Sequence, residues 1–249
     1  MIEFNKGQVD LLKALSFKDY IDEVFSHCEV MYPALVSSQH REKFCYYIEQ
    51  SIALAKKAGF TQRGPVRLFI DMIILLGYNF EQDPQYQWAK FNEMNKASSQ
   101  LEKSMMMYRI LEQYIAAVYG ENNVFFEQSF VKLSNLNINT ISDSKENYHN
   151  NTHELLNYIH PQRYDLLGHE SIDNLISFSD ENIQSDRIIK PNHKSYLVLI
   201  RFLLGGYFHN DFFRYDLSLS KLASWFSEEN AGCHNVVLSS YSSLRFNNH

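Results

Sequence analysis

The sequence is poor in residues that interrupt regular structure, with nine glycines and five prolines among 249 residues. That scarcity excludes a loop-rich, low-complexity chain and favours long helices. Cysteine is also scarce. Cys28, Cys45 and Cys233 are odd in number and show no CxxC spacing, which argues against a disulfide framework. Cys28 and Cys45 fall on apolar helix faces and are expected as buried thiols. Basic blocks are missing as well: 23 Lys and Arg face 29 Asp and Glu, for a net charge of -6. Binding a phosphate backbone needs clustered cations, so nucleic acid is not an expected partner. The start, MIEFNKGQVDLL, lacks a basic segment followed by an apolar one, so no export signal is expected. The longest apolar stretch, YLVLIRFLLGGYF at 196–208, is interrupted by Arg201 and falls short of the roughly 20 residues a membrane span needs. These absences lead to the expectation of a cytoplasmic protein without a membrane span.

What the chain does have is a large hydrophobic content, 45%, with 16 Tyr and 18 Phe, enough for a substantial core. The pattern is helical throughout. Phe17, Tyr20, Ile21, Val24, Phe25, Cys28 and Met31 recur at steps of three and four, which predicts a helix capped by Ser16 and Asp19 and stopped at Pro33, after a shorter helix over 6–14. Phe44, Ile48, Ile52 and Ala55 mark the next helix, ending at Gly59. Pro65 then opens VRLFIDMIILLG, apolar on nearly every side and therefore expected to be central. Its one acid, Asp71, stands four residues after Arg67, and an i,i+4 ion pair is expected. Gly77 ends this helix, Tyr78 and Phe80 fold back over it, and Asp83-Pro84 caps a helix through Trp88 and Phe91. Ser98 or Ser99 starts a long helix whose core stripe reads Leu101, Met105, Tyr108, Leu111, Ile115 and Val118, ending at Gly120. Further helices are expected at 152–159, 170–178, 194–204 and 218–228, with the last residues a short strand or a disordered end. The fold class expected is all-α, a multi-helix bundle: an N-terminal region over 1–135, a polar Asn- and Ser-rich linker over 136–151, and a C-terminal region over 152–249.

One internal similarity raises the question of two related halves. LLGYNFEQD at 75–83 aligns with LLGGYFHND at 203–211, each with a Phe three and an Asp six residues after the first glycine. Common helix-stop chemistry would produce the same pattern. In the second copy Phe212 replaces the proline and Asp216 the tryptophan.

Catalytic motifs are sparse. There is no GxSxG elbow and no glycine-rich phosphate loop. His27-Cys28 and Cys233-His234 are sequence neighbours, which point in different directions on a helix and so do not make dyads. His149 and His153 stand four apart with Glu154 adjacent, a spacing that can bind zinc. HELLN at 153–157 and HESID at 169–173 each lack the second histidine of HExxH. His149, His153 and Glu154 nevertheless define the alternative of a helical metal-dependent hydrolase; otherwise no cofactor is expected.

Residues 8–91 resemble a family of helical proteins of unclear function encoded in bacterial type VI secretion effector clusters. The resemblance rests on YP at 32–33, AKKAGF at 55–60 and VRLFIDMIILLGYNFEQDPQYQWA at 66–89, with Gly77, Phe80, Asp83, Pro84, Trp88 and Ala89 matching the family's LGxxFxxDPxxxWA pattern. It covers about a third of the chain. The resemblance, with the acidity of the chain and the absence of catalytic motifs, leads to the expectation of a non-enzymatic protein that binds a cognate toxin or effector, foremost as an immunity protein, with an effector chaperone or adaptor as the alternative. Asp83, Tyr86 and Trp88 are the expected partner-binding residues, since aromatic side chains commonly anchor interfaces. An acidic chain would suit a basic toxin.

Overall fold

The computed structural model describes residues 5–94, 96, 99–138, 141, 147–185, 193–214 and 232–247, and these are all-α, without a strand. None of the described helices is long and apolar enough to cross a membrane. Helix α1, Lys6–Met31, is one continuous element rather than two. Its start is closed by a capping box in which the Asn5 side chain accepts from the Gln8 N–H and the Gln8 side chain accepts from the Asn5 N–H. With no glycine or proline between residues 8 and 31, nothing stops it at Ser16. Pro33 then ends α1 and opens α2, Pro33–Ser37, followed by α3, Arg41–Lys57, and α4, Arg63–Leu76. Two 3-10 turns, Phe80–Gln82 and Pro84–Ala89, lead to the short α5, Phe91–Met94.

Helix α6, Gln100–Tyr114, is capped by Ser99 and continues as a π-helical segment, Ile115–Tyr119. Its buried face differs from the expected stripe. Met107, Ile110, Leu111 and Tyr114 are buried, whereas Leu101, Met105 and Tyr108 are 67%, 52% and 55% exposed. Apolar residues cover both sides of this helix, so periodicity cannot choose between them, and its packing against α4 does. Helices α7, Val124–Ser134, α8, Tyr148–Ile159, α9, Pro161–Ser185, and α10, Lys194–Leu204, follow, with α9 interrupted at Gly168. Residues 148–151, read as linker, are already helical. After 3-10 turns at Phe208–Asn210 and Phe212–Arg214 comes α11, Gly232–Ser242, a helix where a strand or a disordered end was expected. The helix expected at 218–228 lies outside the described residues. One hydrophobic cluster runs from Tyr20 to Phe246 and takes in both regions. At its centre α10 is buried at every residue from Ser195 to Leu204.

The C-terminal ends of α4 and α10 meet backbone to backbone. A Cβ on Gly77 would lie 2.7 Å from the Leu204 carbonyl oxygen and 3.1 Å from the Gly205 Cα; one on Gly205 would lie 2.8 Å from the Leu76 oxygen and 3.1 Å from the Gly77 Cα. The caps are exchanged between the two ends. Asp83 accepts the Gly206 N–H at 2.5 Å, and the Tyr78 backbone N–H lies on the Asp211 side, where it helps to hold that carboxyl's pKa down. Each carboxylate also turns its own chain, Asp83 taking the Gln85 N–H at 3.1 Å and Asp211 the Phe213 N–H at 2.9 Å. The two LLG segments are thus related by an approximate two-fold exchange, the arrangement a duplicated unit produces.

His160 follows α8 and is fully buried, its Nδ1 accepting the Arg163 backbone N–H at 3.3 Å. Burial, reinforced by the Arg163 charge, pushes its pKa down from 6.5 to about 3. Between these values the unfolded chain binds a proton that the folded chain refuses, so this residue's contribution is complete above pH 6.5 and lost as pH falls. Native protein is expected to lose about 2 kcal/mol of urea-measured stability between pH 7 and pH 5 relative to His160→Gln. Parallel curves for the two proteins would refute this.

Candidate functional site

The LGYNFEQDPQYQWA segment lies largely inside the protein. Asp83 and Tyr86 are 5% and 2% exposed, and neither presents a side chain to a partner. Gln85 donates to Asp83 at 3.0 Å and to the Arg201 carbonyl at 3.1 Å, which fastens the segment to α10. The Tyr86 hydroxyl donates to the Leu76 carbonyl at 2.8 Å and accepts from Arg163 at 2.9 Å. Arg163, from α9, also donates to Gln85 at 3.1 Å and to the Tyr114 hydroxyl. Burial raises the Asp83 carboxyl above its ordinary range, opposed by the Gly206 and Gln85 donors and the Arg163 charge. Trp88 is half-buried against the core, with its Nε1 buried and unpaired among the described residues. The motif therefore ties α4, α9 and α10 together, and Asp83 and Tyr86, expected as partner contacts, are buried within that junction. Arg163 and Gln85 escaped the sequence reading because neither belongs to a local pattern.

The surface offers a groove of about 850 Å³ over α4. Of the α4 residues that are not buried, Arg63, Gly64, Pro65, Arg67, Leu68 and Asp71, the four at Gly64, Arg67, Leu68 and Asp71 follow the one-face spacing of a helix and form the floor. His27 and Met31 of α1 form one wall; Tyr108, Leu111, Glu112 and the π-helical Ile115 and Ala116 form the other. π segments in otherwise regular helices often occur at functional sites. Asp71 does not pair with Arg67. It accepts from the Tyr32 hydroxyl at 3.0 Å and meets His27 Nε2 at 2.9 Å, while Arg67 lies 3.9 Å from Glu23. Tertiary neighbours replace the i,i+4 pair because Asp71 points toward the α1 side of the groove. Desolvation and the nearby Asp71 charge push the Tyr32 phenol and the Cys28 thiol well up, so both stay protonated. Cys28 is thus an inert core thiol, and His27 serves Asp71 rather than activating it.

Of the expected metal residues, His149 and His153 converge, but with Asp173 of α9 in place of Glu154, which is exposed on α8. HESID supplied the signal: His169 and Asp173 repeat the four-residue spacing of His149 and His153 on the neighbouring helix. No protein-family model, curated protein or solved structure matches this chain.

Proposed function

We propose that this protein binds a cognate effector of a bacterial type VI secretion or related toxin system without catalysis, acting as an immunity protein that neutralises the toxin by direct contact. The groove over α4 carries the reading. Its floor and walls offer Met31, Leu68, Leu111 and Ile115 as an apolar bed, and Asp71, Glu112 and Glu121 outnumber Arg67 among its fixed charges. Such a surface suits the apolar face of a helix flanked by basic residues, the mode in which amphipathic helices dock into grooves. The resemblance of residues 66–89 to proteins of effector clusters supports the same partner class.

Gly64 provides a clean test, because a Cβ there meets nothing within 4 Å. Gly64→Trp fills the groove from a solvent-facing position and leaves the core intact. Siblings lacking the gene are expected to be killed by the parent strain, to be rescued by the native chain and not by Gly64→Trp, with toxin affinity lowered at least tenfold in the variant. Deletion siblings that survive would refute immunity. Loss of effector secretion on deletion would identify a chaperone or adaptor instead.

A further inference from the structure

Independently of that reading, we infer that His149, His153 and Asp173 form a zinc-type divalent cation site joining α8 to α9. The three donor atoms lie within 4.8 Å of one another. His149 Nε2 and His153 Nε2 stand 3.4 and 2.8 Å from the same Asp173 oxygen. Zinc bonds of about 2.0–2.1 Å in a tetrahedral shell place ligand atoms ~3.3 Å apart; the His149–Asp173 edge already fits, the His153–Asp173 edge opens by about half an ångström, and the two histidine nitrogens, within 4.8 Å of each other, close to the same spacing. His149 and His153 share one helical face at i,i+4, and imidazoles with one carboxylate select zinc over magnesium or calcium.

The surroundings support ligation beyond a simple His–Asp contact. His153 Nδ1 meets the Tyr164 hydroxyl at 2.8 Å, leaving Nε2 for the ion, and the hydroxyl in turn reaches the His169 ring at 3.3 Å. Zinc ligation by Nε2 requires the proton on Nδ1; the Tyr164 oxygen then accepts a hydrogen bond from Nδ1–H and its own O–H donates toward His169. Such an outer partner fixes the tautomer and orientation of a ligating histidine. The His169 ring stacks on His153 with centroids 5.0 Å apart, at the edge of the site. His149 and Asp173 are about half exposed, so an ion can enter from solvent and the unfilled position faces water.

The test uses the full-length, tag-free chain, dialysed against chelator and titrated with Co2+ by visible absorption, with Zn2+ as competitor. One equivalent of metal with tetrahedral d–d bands is expected, along with a rise in melting temperature on adding zinc. His149→Ala and Asp173→Asn, both at half-exposed positions, should melt like the native chain without metal and weaken zinc binding at least tenfold. Glu154→Gln should bind zinc as the native chain does. Native protein that takes up no stoichiometric zinc at micromolar concentration, or Asp173→Asn that binds as tightly as native, would overturn the site. A loss in Glu154→Gln without one in Asp173→Asn would do the same, by returning the ligand set to α8 alone.

Discussion

Gly77→Ala is expected to be among the most damaging single substitutions in this protein, costing roughly 3–4 kcal/mol or more. Two effects combine. Gly77 has φ 102° and ψ 166°, a region that non-glycine residues enter at about 1–3 kcal/mol. The added methyl would also sit 2.7 Å from the Leu204 carbonyl oxygen, a backbone atom that cannot rotate away. Relief requires α10 to slide from α4, which opens the Asp83–Gly206 bond and draws Asp211 away from the Tyr78 N–H. For a chain of this size the drop corresponds to a melting-temperature fall on the order of 10 °C. Gly205→Ala should behave alike, since its φ is 99° and its Cβ would meet the Leu76 oxygen. The double variant should lose less than the sum, because both methyls open the same contact. Gly64→Ala, in open helix, should be neutral or slightly stabilising. A Gly77→Ala protein melting within 2–3 °C of native, on the order of 1 kcal/mol, would show that the two helix ends do not meet as described.

Asp211→Ala should cost a comparable amount for a different reason. The Asp211 and Arg214 side chains are 0% and 1% exposed, and Arg214 donates both to Asp211 and to the Ile74 carbonyl. Burial raises the Asp211 carboxyl, opposed first by the Arg214 charge and then by the Phe213 N–H and the other donors. Removing the carboxylate leaves a guanidinium in the interior with no counter-charge, a change that costs about 3–5 kcal/mol when a buried pair is broken from one side. Asp211→Ala combined with Arg214→Met should recover part of the loss, since the stranded charge is then absent. Urea midpoints for the four proteins decide the matter. If the double variant is as unstable as the sum of the singles, the pair is not coupled and this account fails.

Much of the architecture is determined by local chemistry in the chain. The scarcity of glycine and proline, the three-and-four spacing of apolar residues and the stops at Gly77, Gly120 and Gly205 define helices whose existence follows from backbone physics alone, and α10 runs over 194–204 as its pattern predicts. The aligned LLG segments were legible too, but the approach of His149 to His153 was not, because residues 136–151 read as linker and only the folded chain carries α8 back to Tyr148, which puts the two histidines on one helical turn. Tertiary packing decided what periodicity leaves degenerate. Helix α6 is apolar on two sides, so only its seat on α4 could bury Met107 and expose Met105. Asp71 had a neighbour of opposite charge on its own helix, yet His27 and Tyr32 reach it from α1 and its C-terminal end at shorter range. Asp83 and Tyr86 were expected as partner contacts from the family resemblance, but α9 and α10 close over them and supply Arg163 and Gly206 as partners. The groove over α4 and the Asp173 ligand arise the same way: each needs residues far apart in sequence to meet, and one-dimensional spacing carries no information about which distant helices become neighbours.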